Sequence, residues 1–255
     1  MTLSSNSTKP RSASPERETF NDSLARVLAL VQNLLRDRFT GRTIRVYEAG
    51  GGSTSYLPLD LLRNADITTV DTDDTQLQNN RYARSKICGD IQLQKFPTAT
   101  FDLVVCYNVI EHIKRPDQAI DNFLEALAPG GLTFIAAPNP HSFSGLATRY
   151  TPHWLHVWFY RVILGYKDAG RPGNAPFPVV YHPLTSPHRL VEFCTLKGCK
   201  VLYFREFESS HLSTLRKKRP AIARFLTTLI GAAEIVSRRN LSNGDFHLVI
   251  EKPAG

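Results

Sequence analysis

Two short apolar runs, each ending in an acid and joined through a glycine turn, most constrain what this chain can fold into. The first, Val46-Tyr47-Glu48, opens into Ala49-Gly50-Gly51-Gly52-Ser53-Thr54, and the second, Ile67 to Val70, ends in Asp71. Runs of this kind suit neighbouring strands of a parallel sheet buried on both faces. Glycines directly after such a strand let the backbone approach a ligand where a Cβ would clash. An acid about 20 residues on is placed to accept both hydroxyls of a ribose. Gly50 and Asp71 stand at that spacing.

A glycine turn serves several ligands. A dinucleotide site wants G-x-G-x-x-G/A, with the pyrophosphate on the next helix N-terminus, and here Ser55 occupies the third glycine position. Glu48, an acid ahead of the glycines, would repel a pyrophosphate. It suits a cationic ligand, held through an ammonium group or a bridging water. S-adenosylmethionine is such a ligand. The plain alternative is a structural strand-to-helix turn.

Further signals follow in order. Lys86-Ile87-Cys88-Gly89-Asp90 reads as a short strand ending in a carboxylate that can accept from an adenine amino group. Phe101-Asp102-Leu103-Val104-Val105-Cys106 is a buried-type strand running into Asn108-Val109-Ile110-Glu111-His112, and a helical segment to Leu127 leads through Ala128-Pro129-Gly130-Gly131 into the strand Leu132 to Ala137. This series, over roughly residues 44–138, resembles the class I S-adenosylmethionine-dependent methyltransferases, and most of all the branch acting on small molecules and lipid-like quinones. Thr54, where many members carry a third glycine, is a departure. The resemblance implies an α/β, Rossmann-like, seven-stranded and mostly parallel sheet with an antiparallel last strand, helices on both faces and a helical lid insert. It implies S-adenosylmethionine as cofactor, held by Glu48 at its amino-acid end, admitted by Gly50, Gly51 and Gly52, gripped at the ribose by Asp71 beside Thr72, at the adenine by Asp90 beside Ile91, and flanked at the methionine by Asn108.

Composition fits one domain: 255 residues suffice for a large core, and 42% of them are hydrophobic. No apolar run is expected to reach the ~18 residues a spanning helix needs. Residues 1–18, polar and rich in Ser and Pro, read as a disordered leader, and 19–255 as a single domain with a cofactor-binding half over 40–138. The four cysteines (Cys88, Cys106, Cys194, Cys199) form no C-x-x-C pair; two lie in expected core strands, and reduced buried thiols in a cytoplasmic protein are expected. Leu24, Val27, Leu28, Val31, Leu34 and Leu35 recur at helical spacing, so Asn21 to Arg38 is expected as a cap helix beside the sheet, either closing over the cofactor or simply packing.

Residues 139–189 read as a lid and substrate insert. The stretch Pro138 to His188 holds five of the eight histidines and nine of the 25 aromatics, more than its share of the chain. In Thr151 to Tyr160, Pro152 suits a helix start and Trp154/Trp158 and His156/Tyr160 are i,i+4 neighbours; Ala169 to Pro178 is a loop by its Gly and Pro content. His141, Trp154, His156, Trp158 and Tyr181 are the expected pocket for a small aromatic or amphiphilic acceptor. The competing reading packs the tryptophans into the core.

The expected strands Lys200 to Phe207 and Asp245 to Glu251 are separated by a basic insert, 209–244. Between residues 212 and 240 stand seven Lys or Arg against Glu234 alone, six of the chain's eight net positive charges. Pro220 is placed to start a helix striped by Ile222, Phe225, Leu226, Leu229, Ile230, Ala233 and Val236. It reads as a core or homodimer-contact helix, as a peripheral membrane contact through 212–240, or as a phosphate-binding surface, the first being favoured and no nucleic acid being expected.

For methyl transfer to a hydroxyl, the protein must align the nucleophile and remove its proton, and histidine is the natural base near neutral pH. His112, His141 and His153 are the candidates. Glu111-His112 resembles the end of the E-x-x-E-H metal motif of ubiquinone-biosynthesis O-methyltransferases and small-RNA 2′-hydroxyl methyltransferases. Asn108 replaces its first acid and removes a charge the ion would need, so the expectation is no metal. Hydroxyl oxygen is the expected target. The alternatives are N- or C-methylation of a lipid-linked or anionic substrate, a nicotinamide-dependent oxidoreductase, and a non-catalytic methyltransferase-like binding protein.

Overall fold

A computed structural model describes residues 20–253, so the leader expected over 1–18 lies outside the described residues. The strands are β1 (Ile44–Ala49), β2 (Ala65–Asp71), β3 (Ser85–Cys88), β4 (Phe101–Tyr107), β5 (Leu127–Pro138), β6 (Lys200–Glu208) and β7 (Asn243–Glu251), forming one sheet in the order β3-β2-β1-β4-β5-β7-β6. β7 runs antiparallel between β5 and β6, and the other neighbours in the sheet pair in parallel. This is the fold class expected.

Period-two alternation divides the core between the two faces of the sheet. Tyr47, Ala49, Val104, Cys106 and Ile135 join Ile120 and Phe123 of α4 (Pro116–Ala126) and Leu190 of α7 (Pro187–Leu196) on one face. Val46, Leu103, Val105 and Phe134 meet Val27, Val31 and Leu35 of α1 (Phe20–Arg38) on the other. All seven residues of β4 are buried. α1 packs as the stripe predicts, and Ser23 Oγ lies 2.9 Å from His247 Nδ1 of β7, which fixes the start of the helix near the sheet's carboxyl edge.

Three expectations change. β5 begins at Leu127, not Leu132: Lys252 N donates to Gly131 O at 2.9 Å and Gly130 N to Lys252 O at 3.2 Å, so the Pro-Gly-Gly bend is tied to the chain after β7. Cys88 is exposed, because β3 is an edge strand, while the other three thiols are free and buried. The insert between β6 and β7 folds into α8 (Ser210–Lys218) and α9 (Pro220–Ser237), and α9 is long and apolar enough by length and composition to cross a membrane; Arg224, Thr227, Thr228 and Glu234 interrupt the run without making the helix polar.

Candidate active site

The glycine turn is held from beneath. Gly50 N donates to Val70 O at 2.7 Å, joining the end of β1 to β2. Gly50 has φ of +75°, and a Cβ there would lie 2.4 Å from a Val109 methyl; one on Gly51 would lie 2.7 Å from Thr69 Cγ2. Any larger residue at either position must displace its neighbours. Gly52 N donates to Asp71 Oδ2 at 2.9 Å, and Asp73 N to Asp71 Oδ1 at 2.9 Å. A carboxylate with about four lone-pair sites can accept further hydrogen bonds in this arrangement.

Glu48 departs from its expected contact. Its side chain lies behind the turn, not along the cavity; Ser55 Oγ donates to one oxygen and Thr69 Oγ1 to the other at 3.3 Å. The reason is alternation: Ala49 follows it on the opposite face, and Glu48, 3% exposed, turns to the face of Val46. Burial pushes the Glu48 carboxyl up to about 7, against the two hydrogen bonds that pull it down. Its visible role is to brace the turn.

A cavity of about 950 Å³ opens at the carboxyl edge of the sheet, lined by Gly50, Gly51, Gly52, Asp71, Thr72, Asp90, Ile91 and Asn108 as the sequence leads one to expect. Asp90 accepts from Gln92 N at 2.8 Å and from Gln92 Nε2 at 2.9 and 2.8 Å, so its acceptor sites are shared with its own loop. Asn108 stands at φ +53° with its N–H donating to Ala136 O at 2.8 Å, which turns the chain from β4 toward the cavity.

The far end of the same cavity is built by the insert. After α5 (Phe143–Tyr150), α6 (His153–Trp158) continues as a wider turn over Phe159–Ile163. His156 and Tyr160 face the cavity, while Trp154 and Trp158 are 67% and 48% exposed and do not line it. Two residues of offset rotate a side chain by about 200° round a helix, so only one of the two i,i+4 pairs can look inward. The tryptophans therefore leave the expected pocket without entering the core. His153, edge-on to His156 at 6.0 Å, and His141 are also exposed and off the cavity, His141 because its own N–H is tied to Asn139 Oδ1 at 2.9 Å just past β5. Tyr181 lines it.

His112 stays in the site. It ends a short turn, Ile110–His112, and its Nδ1 lies 2.8 Å from Pro178 O. Val180 N donates to Glu111 O at 2.8 Å, and Gln76 Nε2, across the cleft in α3 (Asp74–Asn79), donates to Gly173 O at 3.2 Å. The loop over Ala169 to Pro178 is thus strapped across the cavity, with Phe177 edge-on to His112 at 5.9 Å. Burial holds the His112 imidazole below its ordinary value, against the pull of the Pro178 carbonyl.

Among the lining residues outside the expected cofactor and acceptor sets are Glu111, met in the sequence only as part of the metal motif, and Tyr107, His211 and Asp245. Glu111 is 5% exposed, and its Oε2, like Tyr107 Oη, is buried without a hydrogen-bond partner in the protein. Its Oε1 lies 3.5 Å from His112 Nε2. Asp245 sits opposite Pro138 in the β5–β7 register. Burial pushes Glu111 up to about 8 and Asp245 up to about 7. His211 Nε2 and Tyr160 Oη share a 2.7 Å hydrogen bond that joins α8 to the lid. The signal for Asp245 was available: the first residue of an antiparallel closing strand must lie at the carboxyl edge of the parallel ones.

Among the described residues the lining holds five acids (Asp71, Asp73, Asp90, Glu111, Asp245) and neither Lys nor Arg. That set suits a cationic sulfonium and offers a pyrophosphate no counter-charge. The two unpartnered buried oxygens, Glu111 Oε2 and Tyr107 Oη, belong to residues that line the same cavity, so with the acidic lining these residues fit S-adenosylmethionine.

Residues 47–135 match the family model described as a methyltransferase domain. A ubiquinone biosynthesis O-methyltransferase from Parvibaculum lavamentivorans is 33% identical over 99 residues, 34% of this chain and 39% of that protein; one from Caulobacter vibrioides is 28% identical over 174 residues, 59% and 67% of the two chains. The chain thus spans about two-fifths of the length of the first of these relatives. Among solved structures, a putative sarcosine dimethylglycine methyltransferase from Galdieria sulphuraria superposes with a TM-score of 0.54 at 13% identity, over 91% of this chain and 84% of that one, a likeness of fold alone.

Proposed function

We propose that this chain, a member of the class I S-adenosylmethionine-dependent methyltransferases, methylates a hydroxyl oxygen of a small aromatic or amphiphilic acceptor. The observation that carries the reading is the single cavity running from the glycine turn and Asp71 to His112 and the strapped lid loop. When bound, S-adenosylmethionine supplies an electrophilic methyl group on a cationic sulfur.

The chain's own part is binding, exclusion of water and movement of one proton. Gly50 to Gly52 admit the cofactor, Asp71 accepts the ribose hydroxyls, Asp90 and Ile91 flank the adenine, and the acids of the lining balance the positive charge. Because Nδ1 of His112 donates to Pro178 O, Nε2 carries the lone pair that takes the acceptor's proton. Phe20, Tyr56, Tyr107, Tyr160, Phe177 and Tyr181 give the cavity an aromatic wall, with Tyr56 stacked on Tyr107 at 3.9 Å. That no Lys or Arg lines the cavity among the described residues speaks against an anionic acceptor. The names of the relatives support oxygen as the target. Glu111 and Asp245 favour an amine as the second reading.

Calorimetric titration with S-adenosylmethionine and S-adenosylhomocysteine, with NADH as control, tests the cofactor. Labelled-methyl transfer to matched phenols and amines tests the acceptor. Binding of the two sulfur ligands with transfer to phenols is the expected result; transfer to amines alone moves the assignment to nitrogen, and no binding overturns it.

A further inference from the structure

α9 carries two apolar stripes, and the fold uses one. Ala223 and Ile230 are buried, and Leu226 packs with Leu215 of α8 and with Leu164 and Phe159 behind α6. The adjacent stripe, Ile222, Phe225, Leu229, Ala232 and Val236, repeats at spacings of three and four and so lies along one face. Phe225 is 68% exposed and Val236 85%, followed by Ile235 at 81%. No charged residue falls on this outer stripe. A helix that only closed a core would carry polar residues there.

The charges gather at its ends. Arg216 is bound by Glu208 through contacts of 2.5 and 2.6 Å, and Lys218 Nζ donates to Leu164 O at 2.7 Å. Lys217, Arg219, Arg224, Arg238 and Arg239 are exposed and in no ion pair among the described residues. An apolar stripe bracketed by unpaired cations complements an anionic lipid surface, where acyl chains take the stripe and headgroup phosphates the cations. A second copy would cover the stripe but set these cations against their own kind across a two-fold axis. A nucleic acid would pair the cations and leave Phe225 and Val236 in water.

We infer that the outer face of α9 docks this chain on an anionic bilayer. The inner stripe stays packed on α8 and the lid, so the helix lies in the interface plane and does not span. Phe159, Tyr160 and Ile163 pack in the same cluster, and Tyr160 also lines the cavity, so the docking helix rests directly on the segment that walls the acceptor end. Trp154 and Trp158, turned outward from that segment, add exposed amphipathic rings of the kind that settle at headgroup level. The docking surface stands whether or not the methyl acceptor is a hydroxyl.

The test is co-sedimentation of the full chain with phosphatidylglycerol-containing vesicles against pure phosphatidylcholine vesicles. The bound fraction should be roughly tenfold higher on the anionic vesicles and fall as salt is raised. The Phe225→Glu/Val236→Glu variant should stay in the supernatant while its melting temperature and its S-adenosylmethionine affinity match the parent's. Equal binding to both vesicle types, no binding, or a variant that pellets like the parent overturns the inference. So does a dimer in sedimentation velocity that the variant dissolves while the parent ignores vesicles; that result gives the face to a second copy. S-adenosylmethionine titration of the same samples reports separately on the cofactor site.

Discussion

His112 Nδ1 lies 2.8 Å from the carbonyl oxygen of Pro178, a contact only an N–H at Nδ1 can make, so the ring's lone pair stands at Nε2. The lid loop therefore sets the tautomer of the candidate base, and burial keeps the ring neutral to lower pH than an ordinary histidine. The neutral form is the active one. For a hydroxyl acceptor, kcat/KM is expected to rise with pH through a midpoint below 6.5 and then level, as read from methyl transfer across pH. His112→Ala should cut kcat by roughly 10²–10⁴ and abolish that limb; an unchanged profile would remove His112 as the base.

Asp71 ties the glycine turn to the second strand, accepting from Gly52 N and Asp73 N. Asp71→Ala loses the acceptor for the ribose and slackens the turn together. The expected loss of S-adenosylmethionine affinity is about 1–3 kcal/mol, roughly 5- to 150-fold, by calorimetry. Affinity equal to the parent's would sink the assignment of this acid.

Much of this was legible because the parallel half of the fold announces itself locally. Apolar runs ending in acids, Gly50 to Gly52 and the distance to Asp71 are short-range signals, and Asp71, Asp90 and Asn108 stand on the cavity where the pattern puts them. The acceptor end is assembled from distant segments. Asp245 reaches it because β7 is antiparallel, His211 through Tyr160, and Glu111 from the turn after β4. Spacing narrowed α6 to two i,i+4 pairs but did not say which looked inward. Glu48 was read as a ligand contact because an acid beside a glycine turn is a strong local cue. Its burial behind the turn, against Ser55 and Thr69, is a tertiary fact.

Glu111 and Asp245 are buried carboxyls held up at about 8 and 7. A carboxyl whose folded pKa is raised lends stability below its unfolded pKa of about 4 and loses it as pH climbs toward the folded value. The ligand-free chain should soften between about pH 4 and 8 for this reason. Glu111→Gln should raise the melting temperature at pH 8.5 by about 2–4 °C, the equivalent of about 1 kcal/mol, with a smaller gain at pH 5. Differential scanning calorimetry at the two pH values checks it, and an equal gain at both would mean that the effect is packing and not charge. Lower acceptor turnover in the same variant would make these acids an instance of stability given up for function.

At the opposite end of β4 the charge logic reverses. Asp102 has a fully buried side chain, yet it accepts from Arg42 Nη1 and Nη2 at 2.7 Å each, from Arg45 Nη2 at 2.8 Å and from Arg45 N at 2.9 Å. Burial alone would raise its carboxyl; the hydrogen bonds from Arg42 and Arg45 outweigh that and hold it below the ordinary aspartate value. Both guanidiniums remain about 40% exposed, so water can solvate them once the acid is gone, and Asp102→Ala should cost about 2–3 kcal/mol, less than breaking a fully enclosed pair. A group with a depressed folded pKa stabilises above its unfolded pKa and loses that contribution as pH falls through the folded one. The melting temperatures of parent and variant should therefore differ at neutral pH and converge below about pH 3.9, while S-adenosylmethionine affinity stays level, since Asp102 lies at the amino end of the sheet, away from the glycine turn. A gap that persisted undiminished in acid would assign the loss to packing around β4 rather than to the charge.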